Sequence, residues 1–280
     1  MTYRVGKYTL PEYSVLMSVY DRELPENLNE SLESMLMQSY PPSDFVLVCD
    51  GKLTCELNII VKSFQDEFKH IFHIVQIDEN VGVGKAYNEG IKACKCDYIV
   101  KMDSDDISLP NRCLKQMTLF AVKPKLDIIG TYVEEFDTDT DEVVSVKKVP
   151  VMHKDIASYS KRRNPFNRQS VAFRKSFAEK IDGYSDLKMC EDYEFIARML
   201  QHGAKGQNIR VLVRYRIDEN TVDTRKSWEH TKAFIRVRWI IHRSGYTGFR
   251  DFFMPCALQL GLFIFPRKFT RWVYRTFLRK

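Results

Sequence analysis

The stretch Tyr98-Ile99-Val100-Lys101-Met102-Asp103-Ser104-Asp105-Asp106 joins an apolar run to a cluster of acidic side chains. Aromatic and β-branched residues predict a buried strand over 98–102. Three carboxylates follow within four residues, and they repel one another unless a cation lies among them. If the extended backbone continues, Asp103 and Asp105 point to the same side, which favours a site for a hard divalent ion that bridges to phosphates. The alternative is a solvated acidic turn that caps a helix starting near Pro110.

Outward from this stretch, short β-rich runs alternate with segments of helical period, which is typical of a sheet built from βα units. The predicted strands are 13–19, 45–49, 71–77, 98–102 and 126–132, and the predicted helical segments begin at Pro25, Leu57 and Gly84. In such open α/β sheets, ligands bind outside the carboxyl ends of the strands. Polar residues occupy these positions at Tyr20, Asp50, 78–84 and 103–106, so the sequence predicts a ligand site along this edge.

After Pro150 the alternation stops, and the pattern predicts a helix over 153–160, a short strand near Val171, a helix over 191–202 and a strand over 211–217. We predict one catalytic domain over 1–223, whose two halves divide near 132. Residues 224–280 form a separate basic tail with 13 Lys/Arg and 2 Asp/Glu, a net charge of +11, which leaves 1–223 at −5.

Composition limits the class of protein. A chain of 280 residues that is 44% hydrophobic buries an enzyme-sized core, which excludes disordered and fibrous classes. Seven cysteines without metal-site spacing are expected to be reduced thiols, with Cys94 and Cys96 as ordinary packing residues. No signal peptide is recognisable in the first residues, so we expect a cytosolic catalytic part.

The loop Asn80-Val81-Gly82-Val83-Gly84-Lys85-Ala86 contains two glycines and a lysine but matches neither of two common phosphate-binding motifs. The P-loop pattern fails because Glu79 and Ala86 stand where glycine and serine or threonine are needed. A dinucleotide fingerprint starting at Gly82 fails at Tyr87. The sequence still predicts a glycine-containing turn into a helix N-terminus that suits an anion, with Gly82 and Lys85 as candidate contacts to a pyrophosphate.

In their order along the chain, these segments resemble a family-2 glycosyltransferase of the GT-A fold, of the bacterial polysaccharide-assembly type. The matching segments are 14–20, 46–51, 80–90, 103–110, 164–175 and 183–208. The resemblance implies a twisted α/β sheet flanked by helices. It assigns the nucleotide-sugar-binding half to about 1–132 and the acceptor-binding half to about 133–223.

The resemblance also implies roles for individual residues. Donor contacts would come from Val19, Tyr20, Asp50, Gly82, Lys85, Asp103, Ser104 and Asp105. Asp103 and Asp105 would bind Mn²⁺ or Mg²⁺, and Asp192 in Glu191-Asp192-Tyr193 would be the catalytic base. Glu191, Arg168 and Asp106 are further candidates for acceptor or phosphate contacts. The alternatives are a turn residue for Asp50 and a helix-dipole partner for Asp192.

Two positions depart from the family pattern. Many relatives read Asn-Pro-x-x-His, whereas here Arg168 stands in place of the histidine, and an arginine binds phosphate bidentately. Processive synthases carry Gln-x-x-Arg-Trp, but 235–239 reads Ile-Arg-Val-Arg-Trp. The second departure favours addition of a single sugar over polymerisation.

The uncharged run 252–266 is too short to span a bilayer, and basic and aromatic residues alternate after it, as in a membrane-surface helix. A soluble basic helix packed on the body is the alternative. We therefore expect a peripheral enzyme on the inner face of the cell membrane, transferring one hexose from a UDP-sugar to a polyprenyl-diphosphate-linked saccharide in O-antigen or capsule synthesis, with no nucleic-acid partner. The rival functions are nucleotidyltransfer, which also uses metal-binding carboxylates, and nucleic-acid binding through the tail.

Overall fold

The secondary structure alternates strands and helices through the first half and is mixed in the second. A computed structural model describes residues 3–217 and 227–264. The strands are β1 Arg4–Val5, β2 Tyr8–Thr9, β3 Tyr13–Val19, β4 Asp44–Asp50, β5 Phe72–Ile77, β6 Tyr98–Asp103, β7 Ile107–Ser108, β8 Ile128–Asp137, β9 Val143–Lys147, β10 Ala172–Arg174 and β11 Gly206–Ile217. The helices are α1 Pro25–Leu36, α2 Cys55–Glu67, α3 Val83–Ala93, α4 Arg112–Val122, α5 His153–Ser160, α6 Lys175–Lys180, α7 Glu191–Gln201, α8 Trp228–Arg243 and α9 Phe249–Ile264.

Nine of the strands in the described ranges form one mixed sheet, while β1 and β2 pair as a separate ribbon. The order is β5-β4-β3-β6-β10-β8-β11-β7, with β9 added beside β8. Strands β5, β4, β3 and β6 run parallel, and β10 pairs antiparallel with both β6 and β8. The four parallel strands therefore end at one common edge, as the sequence predicts for βα units.

Both faces of the sheet are buried, which explains why β3 and β4 read as continuous apolar runs. In β3, Val15 and Met17 pack with α1 and α2 residues, whereas Leu16 packs on the opposite face with α3 and α7 residues. Helix α1 begins with Pro25 at its first turn and buries Leu28, with its other apolar residues, against the sheet. The central strands are thus covered by helices on both sides.

Helix α3 lies unusually close to the sheet because of Gly90. A Cβ atom at this position would lie 2.2 Å from Leu16 Cδ1 and 2.8 Å from Val48 Cγ2, and both distances are shorter than real Cβ contacts. Glycine therefore sets the separation between α3 and strands β3 and β4. The same helix begins at the Gly82 turn, where φ is 89°, so the close packing also fixes the loop in front of it.

The predicted strands and helices are confirmed, with three differences. The strand predicted over 126–132 is β8, which continues to Asp137, and the strand predicted over 211–217 begins earlier, at Gly206. The exposed β9 and the short β7 and α6 were missed. All seven cysteines carry free thiols, as expected.

Helices α8 and α9 form an antiparallel hairpin against α7. Trp239 and His242 of α8 contact Phe252 of α9, with ring centroids 5.6 and 5.3 Å apart. Among the described residues, no helix has both the length and the apolar composition needed to cross a membrane. The predicted domain boundary at 223 and the basic residues from Arg267 onward lie outside the described ranges.

Candidate functional site at the strand ends

The carboxyl ends of β3, β4 and β6 bring the predicted site residues onto one edge. Val19 pairs with Cys49, and Ser18 pairs with Asp103, so Tyr20, Asp50 and Asp103 follow neighbouring strands. Val19 is fully buried, whereas Tyr20 is exposed. Of these two predicted donor contacts, Tyr20 has an exposed side chain, and Val19 contributes to the core.

Three carboxylates meet where β6 ends and the chain turns towards β7. Asp103, Asp105 and Asp106 each offer an oxygen, and these oxygens lie within 4.8 Å of one another. The predicted alternative, a turn that caps α4, is wrong, because α4 is preceded by Asn111 without a side-chain cap. Asp106 instead accepts a hydrogen bond from the backbone N–H of Arg216 at 3.0 Å, which ties the acidic turn to β11.

Asp103 is neutralised by two cationic side chains. Its Oδ1 accepts hydrogen bonds from Lys101 Nζ and Tyr87 Oη, each at 3.1 Å, and its Oδ2 lies 3.2 Å from Arg168 Nε. Burial opposes ionisation of this carboxyl, but Lys101 and Arg168 outweigh it and lower its pKa to about 2. Asp103 is therefore ionised at physiological pH.

The pKa values of Asp105 and Asp106 are shifted in the opposite direction to that of Asp103. Burial, reinforced by the charges of Asp103 and Glu23, raises the pKa of Asp105 to about 6. Burial and the neighbouring carboxylates also raise the pKa of Asp106 well above its usual value, and its Oδ2 is buried without a hydrogen-bond partner among the described residues. Buried carboxylate oxygens that repel one another and lack donors are suited to a hard cation. The residues present therefore fit Mn²⁺ or Mg²⁺.

Ser104, the predicted donor contact inside the acidic cluster, donates a hydrogen bond to Glu23 Oε2 at 2.5 Å. Glu23 lies in the β3–α1 connection and was missed by the sequence analysis. It comes from a separate segment, and its charge contributes to the raised pKa of Asp105. The acidic side chains at this edge therefore come from two connections, β3–α1 and β6–β7.

Asp50 holds the glycine loop in place. Its Oδ1 and Oδ2 accept hydrogen bonds from the backbone N–H groups of Val81 and Gly82, at 2.8 and 3.0 Å. Both carboxylate oxygens are therefore engaged with the loop, which was not foreseen for a residue predicted to contact nucleotide. The neighbouring Gly51 has φ of 92°, and a Cβ there would lie 3.0 Å from Asn80 N, so the turn requires glycine.

Lys85 points to the side of α3 away from the acidic cluster. Its Nζ lies 3.0 Å from Asp186 Oδ2, and both side chains are largely exposed. It lines a cavity of about 680 Å³ together with Val81, Asn88 and Gly183, and none of the three clustered aspartates lines that cavity. Of these two predicted pyrophosphate contacts, Gly82 lies at the start of α3, whereas the Lys85 amine is paired with Asp186.

Asp192 reaches the acidic edge from α7, at the first turn of that helix. It is 8% exposed, and its Oδ1 accepts a hydrogen bond from Lys101 Nζ at 3.3 Å. Lys101 is fully buried, and although burial disfavours its charge, Asp103 and Asp192 raise its pKa above the usual value. Its charged amine therefore links the predicted metal-binding carboxylate to the predicted base.

The two glutamates beside Asp192 differ in their surroundings. Burial and the charge of Asp192 raise the pKa of Glu191 to about 7, so about half of this carboxyl is protonated near neutral pH. Glu194 accepts hydrogen bonds from Arg198 Nε at 2.8 Å and Ser185 Oγ at 2.7 Å, which is a structural arrangement within α7 and its preceding loop. The helix-dipole alternative for Asp192 leaves its contact with Lys101 unexplained.

Sequence comparison identifies the family. The description "Glycosyl transferase family 2" matches residues 14–181, and the chain belongs to that family and is a glycosyltransferase. It is 34% identical to an uncharacterised glycosyltransferase of Haemophilus influenzae over 96% of this chain and 100% of that protein. It is 30% identical to the UDP-Gal:alpha-D-GlcNAc-diphosphoundecaprenol beta-1,3-galactosyltransferase of Escherichia coli, over 96% of this chain and 98% of that enzyme.

Solved structures show the same fold at low sequence identity. A fragment of TarS from S. aureus in complex with UDP-GlcNAc superposes with a TM-score of 0.60 at 18% identity, covering 81% of this chain and 65% of the fragment. GalNAc-T7 with UDP, GalNAc and Mn²⁺ gives a TM-score of 0.64 at 14% identity, covering 81% of this chain and 47% of that protein. The chain spans less than two thirds of either structure. The α/β sheet flanked by helices is thus the GT-A fold, as the sequence predicts.

Proposed function

We propose that this glycosyltransferase transfers a single hexose from a UDP-sugar to a polyprenyl-diphosphate-linked saccharide, with inversion at the anomeric carbon and with a divalent metal. The observation that carries the proposal is the buried Lys101 amine, which lies between Asp103 on the sheet and Asp192 on α7. It links the carboxylate cluster that suits a metal to the candidate base Asp192 in one cleft. A direct displacement needs both, on opposite sides of the reacting carbon.

On the donor side, the carboxylates of Asp105 and Asp106 have no cationic side chain within hydrogen-bond reach among the described residues. Asp103 completes the cluster with a carboxylate that Lys101 and Arg168 hold in position. Bound here, Mn²⁺ or Mg²⁺ supplies positive charge to a departing diphosphate. Tyr20 and the loop held by Asp50 lie at the same edge and are assigned to the nucleotide. Lys85 becomes available to a phosphate only after leaving Asp186.

On the acceptor side, Asp192 takes the proton of the attacking hydroxyl. The Lys101 amine donates a hydrogen bond to Asp192 Oδ1 at 3.3 Å, which holds this side chain in place for its role as general base. Arg168 is half exposed and already touches Asp103, so its guanidinium lies where it can also meet a phosphate of donor or acceptor. Glu191, beside the base, is assigned to acceptor contacts.

The acceptor class and the cellular location rest on different observations. The Escherichia coli relative is aligned over nearly its whole length and carries a diphosphoundecaprenol acceptor in its name, which supports a lipid-linked acceptor in surface-polysaccharide synthesis. The net charge of +11 over 224–280 supports peripheral attachment to the anionic inner face of the cell membrane. Arg238 in the segment 235–239 stacks over Tyr193 at 5.3 Å, a packing role that agrees with single-sugar transfer.

The test is a transfer assay with UDP-galactose, UDP-glucose and their N-acetyl counterparts, using a GlcNAc diphosphate with a short alkyl chain as acceptor. Release of UDP together with a product heavier by one hexose, dependent on Mn²⁺ or Mg²⁺ and lost with EDTA, is expected. Proton NMR of the product reports its anomeric configuration. Pyrophosphate release from a sugar phosphate and UTP, without sugar transfer, would instead establish a nucleotidyltransferase.

A further inference from the structure

The side of α9 that faces away from the protein body is apolar from Phe253 to Leu260. Phe253, Met254 and Leu258 are each nearly 60% exposed, and Leu260 is 37% exposed. We call these four residues the outer face of α9. The opposite side of the helix packs on α8, where Gln259 Nε2 donates a hydrogen bond to Thr231 Oγ1 at 3.3 Å. A helix that is packed on one side and exposes several large apolar side chains on the other does not fit water as its surroundings.

The dimensions of α9 match a helix that lies in a membrane interface. Its described part, Phe249–Ile264, has 16 residues and contains Pro255, and at about 1.5 Å per residue this part is roughly 24 Å long. A bilayer core of about 30 Å exceeds that length. No charged residue occurs between Asp251 and the end of the helix at Ile264, so the whole outer face can enter the boundary between headgroups and acyl chains.

The charges around the hairpin determine which partner fits this face. Lys232, Arg236 and Arg243 are exposed on α8, on the side where Trp239 is 48% exposed. Basic residues beside an exposed tryptophan are typical of membrane interfaces. A second copy of the chain would bring its own net charge of +11 over 224–280 against the first, whereas an anionic bilayer attracts this charge.

We propose that the outer face of α9 inserts into the surface of an anionic bilayer and that α8 thereby places the catalytic cleft at headgroup level. The second part rests on the proposed transfer to a lipid-linked acceptor. Val237 and Ile241 of α8 pack with Tyr193 and Ala197 of α7, and Tyr193 directly follows Asp192. Packed helices are about 8–10 Å apart, so the candidate base lies roughly one helix spacing from the membrane-bound hairpin.

This arrangement suits the acceptor chemistry. A sugar joined by a diphosphate to a lipid chain cannot move far from the headgroup region, because the chain remains in the bilayer. A base on α7, one layer above α8, meets such a sugar without extraction of the lipid. The hairpin thus sets the height of the active site above the membrane, and the basic residues of α8 lie level with the lipid phosphates.

The experiment uses the full chain and compares the double variant Phe253→Glu/Leu258→Glu with Met37→Glu/Ile59→Glu. The control places the same two charges at exposed apolar positions, 57% and 70% exposed, at the end of α1 and in α2. Sedimentation with phosphatidylglycerol vesicles near physiological ionic strength measures binding. We expect the control to bind like the parent chain and Phe253→Glu/Leu258→Glu to bind about 10²-fold more weakly, roughly one tenfold step for each apolar side chain withdrawn from the interface.

Transfer assays then separate this proposal from the proposed function. Phe253→Glu/Leu258→Glu should transfer sugar normally to the short-chain soluble acceptor and lose transfer to a long-chain acceptor in vesicles. Unchanged vesicle binding by that variant, or no binding by the parent chain, would overturn the insertion. A dimer interface is the other explanation for the exposed face. It would be established, and the insertion overturned, if ultracentrifugation showed that the parent chain is a dimer and the variant a monomer while neither protein bound vesicles. Absence of transfer by the parent chain to any soluble acceptor would overturn the proposed function, while the vesicle data would still decide the insertion.

Discussion

The Lys101 amine donates a hydrogen bond to Asp192 Oδ1 at 3.3 Å, although the two residues are 91 positions apart in sequence. The lysine belongs to the central parallel strand β6 and the aspartate to the first turn of α7, so one buried charge connects the two halves of the domain. A buried cation is stable when carboxylates surround it, and removal of one member leaves an unpaired charge. The contact therefore constrains both the fold and the cleft.

Replacement of Lys101 by Met should lower kcat by about 10², the scale that a misplacement of about 1 Å produces. Methionine has a similar length but no charge, so Asp192 loses its cationic partner while Arg168 still neutralises Asp103. UDP affinity, measured by calorimetry, should change much less than kcat. Lys101→Arg, which retains the cation, should recover part of the rate. A folded Lys101→Met variant with normal kcat would contradict the positioning role.

Asp105→Asn should raise stability and weaken donor binding at once. The raised pKa shows that the ionised Asp105 is disfavoured in the metal-free protein, so removal of its charge should stabilise the fold by about 1–2 kcal/mol at neutral pH. Metal-dependent UDP binding should be abolished, and Asp103→Ala should also abolish it. Urea unfolding without metal and calorimetry with UDP and Mn²⁺ measure the two effects.

The matched control for Asp105→Asn is Asp186→Asn, which changes an exposed carboxylate paired with Lys85. It should alter neither stability nor metal dependence by a measurable amount. An Asp105→Asn variant that binds UDP and Mn²⁺ like the parent chain would remove Asp105 from the metal site. A loss of stability without loss of binding would show that the carboxylate has a structural role instead.

Asp105 and Glu191 should make the metal-free protein less stable as pH rises from about 4 to 7. Asp105 has a folded-state pKa of about 6 against an ordinary value of 3.8, and Glu191 has about 7 against 4.5. The folded state therefore binds more protons than the unfolded state in this range, and its stability falls as pH rises. Metal ligands must be deprotonated, so the rise in Tm caused by Mn²⁺ should be larger at pH 7.5 than at pH 5, measured by circular dichroism. Equal shifts at both values would contradict a carboxylate-bound metal.

Gly90→Ala should destabilise the protein even though alanine favours helices. The added methyl group would meet Leu16 and Val48 well inside contact distance, and such overpacking costs about 1–3 kcal/mol. The gain in helix propensity, about 1 kcal/mol, offsets part of it. Gly84→Ala is the control, since its nearest atom would be 3.4 Å away. Urea midpoints that rise for Gly90→Ala would show that α3 can move away from the sheet.

The sequence predicts the parallel half of the fold well because its signals are local. The strands around Val15 and Val100 are buried on both faces and read as apolar runs, and Pro25 marks the start of α1. Strand β9 was missed because Val143 and Val144 are exposed, so no alternation distinguishes them. The limits of β8 and β11 depend on their pairing with each other, which is a tertiary contact.

The acidic cluster was predictable from the sequence, but the different surroundings of its three aspartates were not. Asp103, Asp105 and Asp106 look alike in sequence, but among the described residues Lys101 and Arg168 lie within ion-pair distance of Asp103 and not of the other two. One signal for Lys101 was present, since a lysine inside an apolar strand is buried and needs a charged partner. Identification of that partner as Asp192 requires the structure. The Asp50 contact with the glycine loop likewise depends on β4 and β5 ending side by side.

The last prediction concerns Asp192, which we assign as the base that deprotonates the acceptor hydroxyl. Asp192→Asn keeps the size of the side chain and removes its charge, so transfer should fall by about 10² to 10⁴, the usual contribution of general-base catalysis. UDP binding should persist. Glu191→Gln tests the neighbouring carboxyl, whose pKa of about 7 leaves it only partly ionised near neutral pH, and this variant should lose far less activity. Glu194→Gln should lower Tm instead, because it weakens the contact with Arg198. Near-normal transfer by Asp192→Asn, or a product that retains the donor's anomeric configuration, would mean that the base and the single displacement are both misassigned.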